Sequence, residues 1–305
     1  FGHMDDQFLT FDSDLIVGML TLGVLLLVCS LRASEGFLFE EGARLVTYKL
    51  YTRRTPTGEL IDKSSFLKSS YNPNVPTKLV THGWFGDLPT FDDMIEALIE
   101  KEDVNVIRLD WVDWSSNLDY LQVVEEVPDV AMAIKGFLDY MIQDGGLKLK
   151  DLHFIGFSLG AQVAAFVGKQ YTTQQIARIT CLDPSGLGFD NSDAKKSIHK
   201  TDAEFVDVLH TSGLSAEPRG HVDFWPNNGD ETHALCPLLF AETIRQSCDF
   251  TARQCNNWEE FVNKKCESNA TNTMGYMASK TGAQGNLYLE INGYEKPFCK
   301  KSKQL

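Results

Sequence analysis

Short apolar runs alternate along this chain with longer stretches of helical periodicity. Residues 45–51, 78–81, 104–109, 152–155, 179–182 and 205–209 are compact β-rich runs of strand length. Between several of them the period changes. Val130, Ile134, Phe137, Leu138, Met141 and Ile142 recur at three- and four-residue steps until Gly145-Gly146 closes the segment, and Met94, Ile95, Leu98 and Ile99 share one face after Pro89. Strands alternating with helices predict βαβ units and a mostly parallel sheet flanked by helices, with ligand sites at the carboxyl ends of the strands. No repeat, low-complexity stretch or long linker divides residues 35–305, which are expected to form one domain; single α/β domains of roughly 250 residues are common.

One tract departs from this pattern. Residues 15–31 are apolar apart from Gly, Thr and Ser interruptions, and the small and polar residues Arg32-Ala33-Ser34-Glu35-Gly36 follow. This predicts a secretory signal removed after residue 34, with Met19 as an alternative start, and hence an extracellular protein. A membrane anchor is the other reading of the same tract.

Composition narrows the field. Lys and Arg total 28 against 42 Asp and Glu, a net charge of −14 that repels phosphate backbones and excludes a general nucleic-acid binder. Of seven cysteines, Cys29 lies in the apolar tract, and Cys236, Cys248, Cys255, Cys266 and Cys299 cluster late in the chain. In a secreted chain without a CxxC pair this clustering reads as disulfide bracing rather than zinc, with Cys255–Cys266 the expected pair. Cys181, inside a strand-like run, reads as a small buried apolar residue. Asn269-Ala270-Thr271 is a glycosylation sequon, expected at the surface. The acid-rich stretch 190–202 reads equally as a solvated turn or a calcium loop.

The candidate chemistry sits at one strand exit. Leu152-His153-Phe154-Ile155 runs into Gly156-Phe157-Ser158-Leu159-Gly160 and then an alanine-rich helix start. A nucleophile on so tight a strand-to-helix turn needs small neighbours two residues to either side, which Gly156 and Gly160 provide. Ser158 is therefore the expected nucleophile, with the Leu159 N–H aimed at a developing oxyanion. A serine needs a histidine to take its proton and an acid to orient that histidine. Asp183, at the next strand exit in Leu182-Asp183-Pro184-Ser185-Gly186, is the candidate acid. His199, His210, His221 and His233 all follow it, and the residues alone do not choose among them. Thr81-His82-Gly83-Trp84 is the early strand exit that would supply a second oxyanion donor, the Trp84 N–H, with His82 organising the loop.

Together, Thr81-His82-Gly83-Trp84, residues 105–111, residues 155–161, residues 182–186, residues 202–211 and residues 220–227 resemble the pancreatic lipase family, closest to its insect-type lipase and phospholipase A1 branch. The similarity runs in order from about residue 44 to Phe298. It implies an α/β-hydrolase fold, Ser158 as nucleophile, Asp183 as acid, and Trp84 and Leu159 as oxyanion donors, with no metal or cofactor. The family's Cys-Ser-His-x-Arg stretch is missing, so the base has two registers. Matching Cys236 to the first lid cysteine puts Thr243 at the base position and predicts a silent lipase. Matching residues 240–244 to the helix after the base puts His233 there, and we prefer this register because shortening a surface loop is tolerated better than losing a helix.

In that register the lid is nearly gone, since residues 226–232 lead directly to His233, and the stretch 212–220 is short as well. By resemblance this favours phospholipase A1 or a general esterase acting on lipid esters at a membrane or lipid-droplet surface. The chain ends near Phe298, without the family's C-terminal β-sandwich domain, so a colipase partner is not expected. The rival expectation is a catalytically impaired lipid-binding or storage protein of the yolk type.

Overall fold

The buried runs of the sequence become the centre of a sheet. The computed structural model describes residues 45–86, 90–246, 248–295 and 298. The apolar tract 15–31, the expected leader 1–34, Pro89, Cys29 and Cys299 lie outside the described residues. The strands are β1 (Thr47–Thr52), β2 (Thr55–Ile61), β3 (Thr77–Thr81), β4 (Asn105–Asp110), β5 (Leu152–Phe157), β6 (Arg178–Leu182), β7 (Phe205–Leu209), β8 (Val222–Pro226), β9 (Thr251–Gln254), β10 (Thr271–Thr273) and β11 (Gly285–Leu289). The helices are α1 (Thr90–Lys101), α2 (Val112–Ser115), α3 (Tyr120–Gln143), α4 (Leu159–Gly168), α5 (Leu235–Arg245) and α6 (Trp258–Val262).

The strands order as β10-β9-β11-β8-β7-β6-β5-β3-β4-β1-β2. Every pairing from β4 across to β11 is parallel, and antiparallel strands occupy the two flanks. Parallel strands are covered on both faces, which explains why β3 and β5 are buried at every position. Side chains alternate between two cores, as the two-residue strand period requires. Leu79, Ile107, Phe154 and Ile179 pack with α3 and α4. Val80, Val106, Ile155 and Leu182 pack with α1 and α5. The expected mostly parallel sheet flanked by helices is what the chain forms.

Helix α3 is longer than its periodicity suggests. It starts at Tyr120, where the Asp119 side chain accepts the Gln122 N–H at 3.2 Å, and it runs through Pro128. Pro128 is exposed, so the carbonyl it leaves without a helical donor can be hydrated. Cys255–Cys266 is the disulfide expected, Cys248 is also disulfide-bonded, and Cys181 is a free buried thiol on β6.

Candidate active site

Strand β5 delivers Ser158 onto a turn that few residues tolerate. Its φ of 56° and ψ of −124° lie in a strained region costing a non-glycine residue roughly 1–3 kcal/mol. The surroundings hold it there: the Ser158 N–H donates to the Leu182 carbonyl at 2.9 Å, and the Ser158 carbonyl accepts from the Ala161 N–H at 3.1 Å and the Ser185 N–H at 3.3 Å. Backbone crowds the turn from both sides. A Cβ on Gly160 would lie 2.2 Å from the His82 carbonyl oxygen, and one on Gly156 would lie 2.4 Å from the Gly160 carbonyl oxygen. These contacts explain the small residues flanking Ser158. Gly83 works the same way from the neighbouring strand, since a Cβ there would stand 2.7 Å from the Ser158 Cβ.

Asp183 leaves β6 at a positive φ of 43° and is almost fully buried. Its N–H donates to the Leu209 carbonyl at 2.7 Å. Its Oδ1 accepts from the Thr211 N–H at 2.7 Å and the Ser212 N–H at 3.0 Å. Its Oδ2 accepts from the Ser212 hydroxyl and faces the His233 Nδ1 at 2.6 Å. Burial pushes the Asp183 carboxyl up, but the hydrogen bonds and charge of His233 together with the bonds from Ser212 outweigh it and hold the group below the ordinary carboxylate range. It is thus an anion with its lone pairs occupied by donors.

The His233 ring precedes α5, with its side chain one-third exposed (33%). Its ring stacks on Phe157, the residue before Ser158, with centroids 4.4 Å apart. Nδ1 is committed to Asp183, leaving Nε2 as the nitrogen able to accept a proton. Thr243 lies elsewhere: buried in α5, its hydroxyl donates to the Phe240 carbonyl at 2.6 Å and accepts the Tyr276 N–H at 3.0 Å. The helical register, with His233 ahead of α5, is therefore the one that brings an imidazole to Asp183.

The other histidines are occupied. His199 caps the short turn Lys200–Asp202, and the His221 ring accepts the Val206 N–H at 3.0 Å. His210 pairs with Asp223 at 2.8 Å. His82 is buried, donating from Nδ1 to the Gly83 carbonyl at 2.8 Å while Nε2 lies 3.2 Å from the Asp110 carboxylate and 3.1 Å from the Trp111 backbone nitrogen, and so organises its loop as expected.

Trp84 and Leu159 stand where the sequence puts the oxyanion donors, at the exits of β3 and β5. Among the described residues neither backbone N–H donates to a backbone acceptor outside its own helix or strand. The Trp84 ring is held by its indole N–H on the Asn117 carbonyl at 2.8 Å and by an edge contact with Tyr120 at 5.2 Å. Tyr120 in turn hydrogen-bonds Ser185, tying this rim to the turn beyond Asp183. Ser212, a direct partner of Asp183, carries no sequence signal that singles it out. The acids of residues 190–202 do not converge: Asp202 pairs with Lys169 and Asp190 accepts from Ser215, and no metal-holding group of His, Cys, Asp or Glu occurs among the described residues.

A serine on a strained elbow, a buried carboxylate bonded to an imidazole, and the backbone amides of Trp84 and Leu159 are the kinds of group that acyl transfer uses. Comparison with known proteins gives the same direction. The profile of the family named Lipase matches residues 40–237. Lipase member H of Oryctolagus cuniculus is 33% identical over 242 residues, covering 71% of this chain and 53% of that protein. Phospholipase A1 member A of Bos taurus is 32% identical over 247 residues, covering 72% and 53%. Lipase member H of Rattus norvegicus is 31% identical over 246 residues, covering 73% and 54%. The chain spans about half the length of these relatives. On the extent of the family match and the identity to these relatives, the chain belongs to the lipase family.

Proposed function

We propose that this protein is a secreted serine carboxylic-ester hydrolase acting on lipid esters, of the phospholipase A1 or lipase kind. The observation that carries the reading is the 2.6 Å contact between His233 Nδ1 and Asp183, with the imidazole stacked on the residue next to Ser158. In this reading the Ser158 hydroxyl attacks the acyl carbonyl while His233 Nε2 takes its proton. Asp183, kept anionic by its donors, fixes the tautomer and stabilises the imidazolium. The N–H groups of Trp84 and Leu159 hold the tetrahedral oxyanion. His233 returns the proton to the leaving alcohol, and water then releases the acyl group by the same steps.

Two features support a lipid substrate and a nearly absent lid. From β8 the chain passes through the turn Asn227–Gly229 and reaches α5 soon after. Leu118, Leu121 and Leu187 are large apolar side chains exposed by 74%, 56% and 66% on the segments bordering the site. The Tyr120 hydroxyl joins these segments through Ser185 and the Leu187 carbonyl. A disulfide agrees with an oxidising compartment, and no helix among the described residues is long and apolar enough to cross a membrane.

Product analysis tests the proposal. The purified protein is given a phosphatidylcholine, a triglyceride and a short-chain ester, beside Ser158→Ala. Release of fatty acid by the native chain, lost in the variant, supports the reading. Binding of lipid with no release by either protein would leave a lipid carrier in its place.

A further inference from the structure

The proposed chemistry gives no task to the buried His210. His210 directly follows β7, and its side chain and that of Asp223 on β8 are each 1% exposed. Nε2 of His210 meets Asp223 Oδ1 at 2.8 Å, and the ring lies flat on Trp225 with centroids 3.8 Å apart and planes 4° from parallel. The Asp223 carboxylate also accepts the Arg219 N–H and the Gly220 N–H, each at 3.0 Å. An ionised carboxylate only accepts, so Nε2 carries the proton. Nδ1 is buried without a hydrogen-bond partner. Exchange of protons with the reaction is therefore not what this ring is built for.

Its place in the chain suggests another use. The residues on either side of His210 hold the acid of the proposed triad. The Leu209 carbonyl takes the Asp183 N–H, and the Thr211 and Ser212 N–H groups both donate to Asp183 Oδ1. The Thr211 carbonyl accepts the Glu231 N–H at 2.6 Å, two residues before His233. One short segment thus contacts both the acid and the loop bearing the base, and the His210 side chain anchors it.

We infer that His210, clamped by Asp223 and Trp225, is a positioning residue that aims the 211–212 amides at Asp183 and so sets the Asp183–His233 contact. The inference rests on the proposed Ser158–His233–Asp183 chemistry. Loosening the anchor lets the carboxylate drift from the imidazole. The base then loses orientation and its close contact with the negative charge of Asp183. A misplacement of this kind costs roughly 10- to 100-fold in turnover.

The test measures kcat, KM and the pH–rate profile for a soluble short-chain ester, with every rate divided by the active sites titrated with a fluorophosphonate. His210→Phe keeps the stack on Trp225 but loses the bond to Asp223. His210→Gln keeps a donor near the Nε2 position. Trp225→Leu removes the stack and serves if His210→Phe does not fold. His210→Phe or Trp225→Leu is expected to lower kcat per site with KM little changed, and to move the acid limb of the profile to lower pH. His210→Gln is expected to recover most of both. Asp183→Asn calibrates the largest shift the profile can show. Fewer titratable sites, each with native kcat and a native acid limb, would mean that His210 only supports folding and would overturn the inference. Failure of the native protein to label at Ser158 would overturn the proposed chemistry first, and the inference with it.

Discussion

Replacing Asp183 by Asn changes the site's electrostatics with almost no change of shape. The carboxylate takes donors at four points: Thr211 N–H at 2.7 Å, Ser212 N–H at 3.0 Å, the Ser212 hydroxyl and His233 Nδ1 at 2.6 Å. An amide offers one oxygen and one NH2 group. Two backbone donors meet Oδ1, so the amide oxygen settles there and the NH2 group turns toward His233. Nδ1 must then accept, which places the ring proton on Nε2, where it blocks transfer from Ser158. Serine hydrolases with this wrong tautomer lose about 10^4 in kcat, equivalent to roughly 5.5 kcal/mol of transition-state stabilisation. Loss of the charged hydrogen bond costs about 1.5–3 kcal/mol of folding stability, measurable separately by denaturant unfolding. Steady-state hydrolysis of a soluble ester, normalised to folded protein, reads the kinetic effect, with KM expected to stay near native. A variant retaining activity within tenfold of native would refute the assignment of Asp183 as the orienting acid.

Other perturbations probe the remaining links. Gly160→Ala places a methyl group 2.2 Å from a backbone oxygen that cannot swing aside, and is expected to cost about 3 kcal/mol of stability by chemical denaturation. Leu118→Asp and Leu187→Asp, at exposed apolar positions, are expected to reduce cosedimentation with phosphatidylcholine vesicles several-fold while hydrolysis of a soluble ester stays within twofold of native. Burial holds the His153 imidazole well below its ordinary pKa. The unfolded ring therefore binds a proton that the folded ring refuses below about pH 6.5, and stability falls as pH drops through that value. The stability gap between the native chain and His153→Gln is expected to shrink from pH 7.5 to pH 5; a constant gap would contradict this.

Legibility in the sequence followed burial. Strands covered on both faces, such as β5 and β7, are apolar except for His153, Gly156 and Asp207, and were readable from their residues. On the flanks β1 was readable, but β2 and β10 were not: β2 contains Pro56 and Gly58, and β10 is Thr-Asn-Thr, so neither carries a hydrophobic signal. The start of α3 was obscured by Pro128, which is tolerated because it faces solvent. Ser158 was legible because its turn imposes local demands on Gly156 and Gly160. The partner of Asp183 was not legible from the bare residues, since four histidines follow it and the choice is made by tertiary contacts. The resemblance supplied a register that named His233, and the structure brings that ring to Asp183. The support from Ser212 and the His210–Asp223 pair had no sequence signature, because each arises from strand order rather than from spacing.

The central claim is that the His233 imidazole activates the Ser158 hydroxyl. Its most direct test is the rate of fluorophosphonate labelling, mapped by peptide mass, in the native protein and in His233→Ala. The account predicts stoichiometric modification of Ser158 in the native chain and labelling slowed by at least about 10^3-fold in the variant. Equal rates in the two proteins, or a label on any other residue, would contradict it.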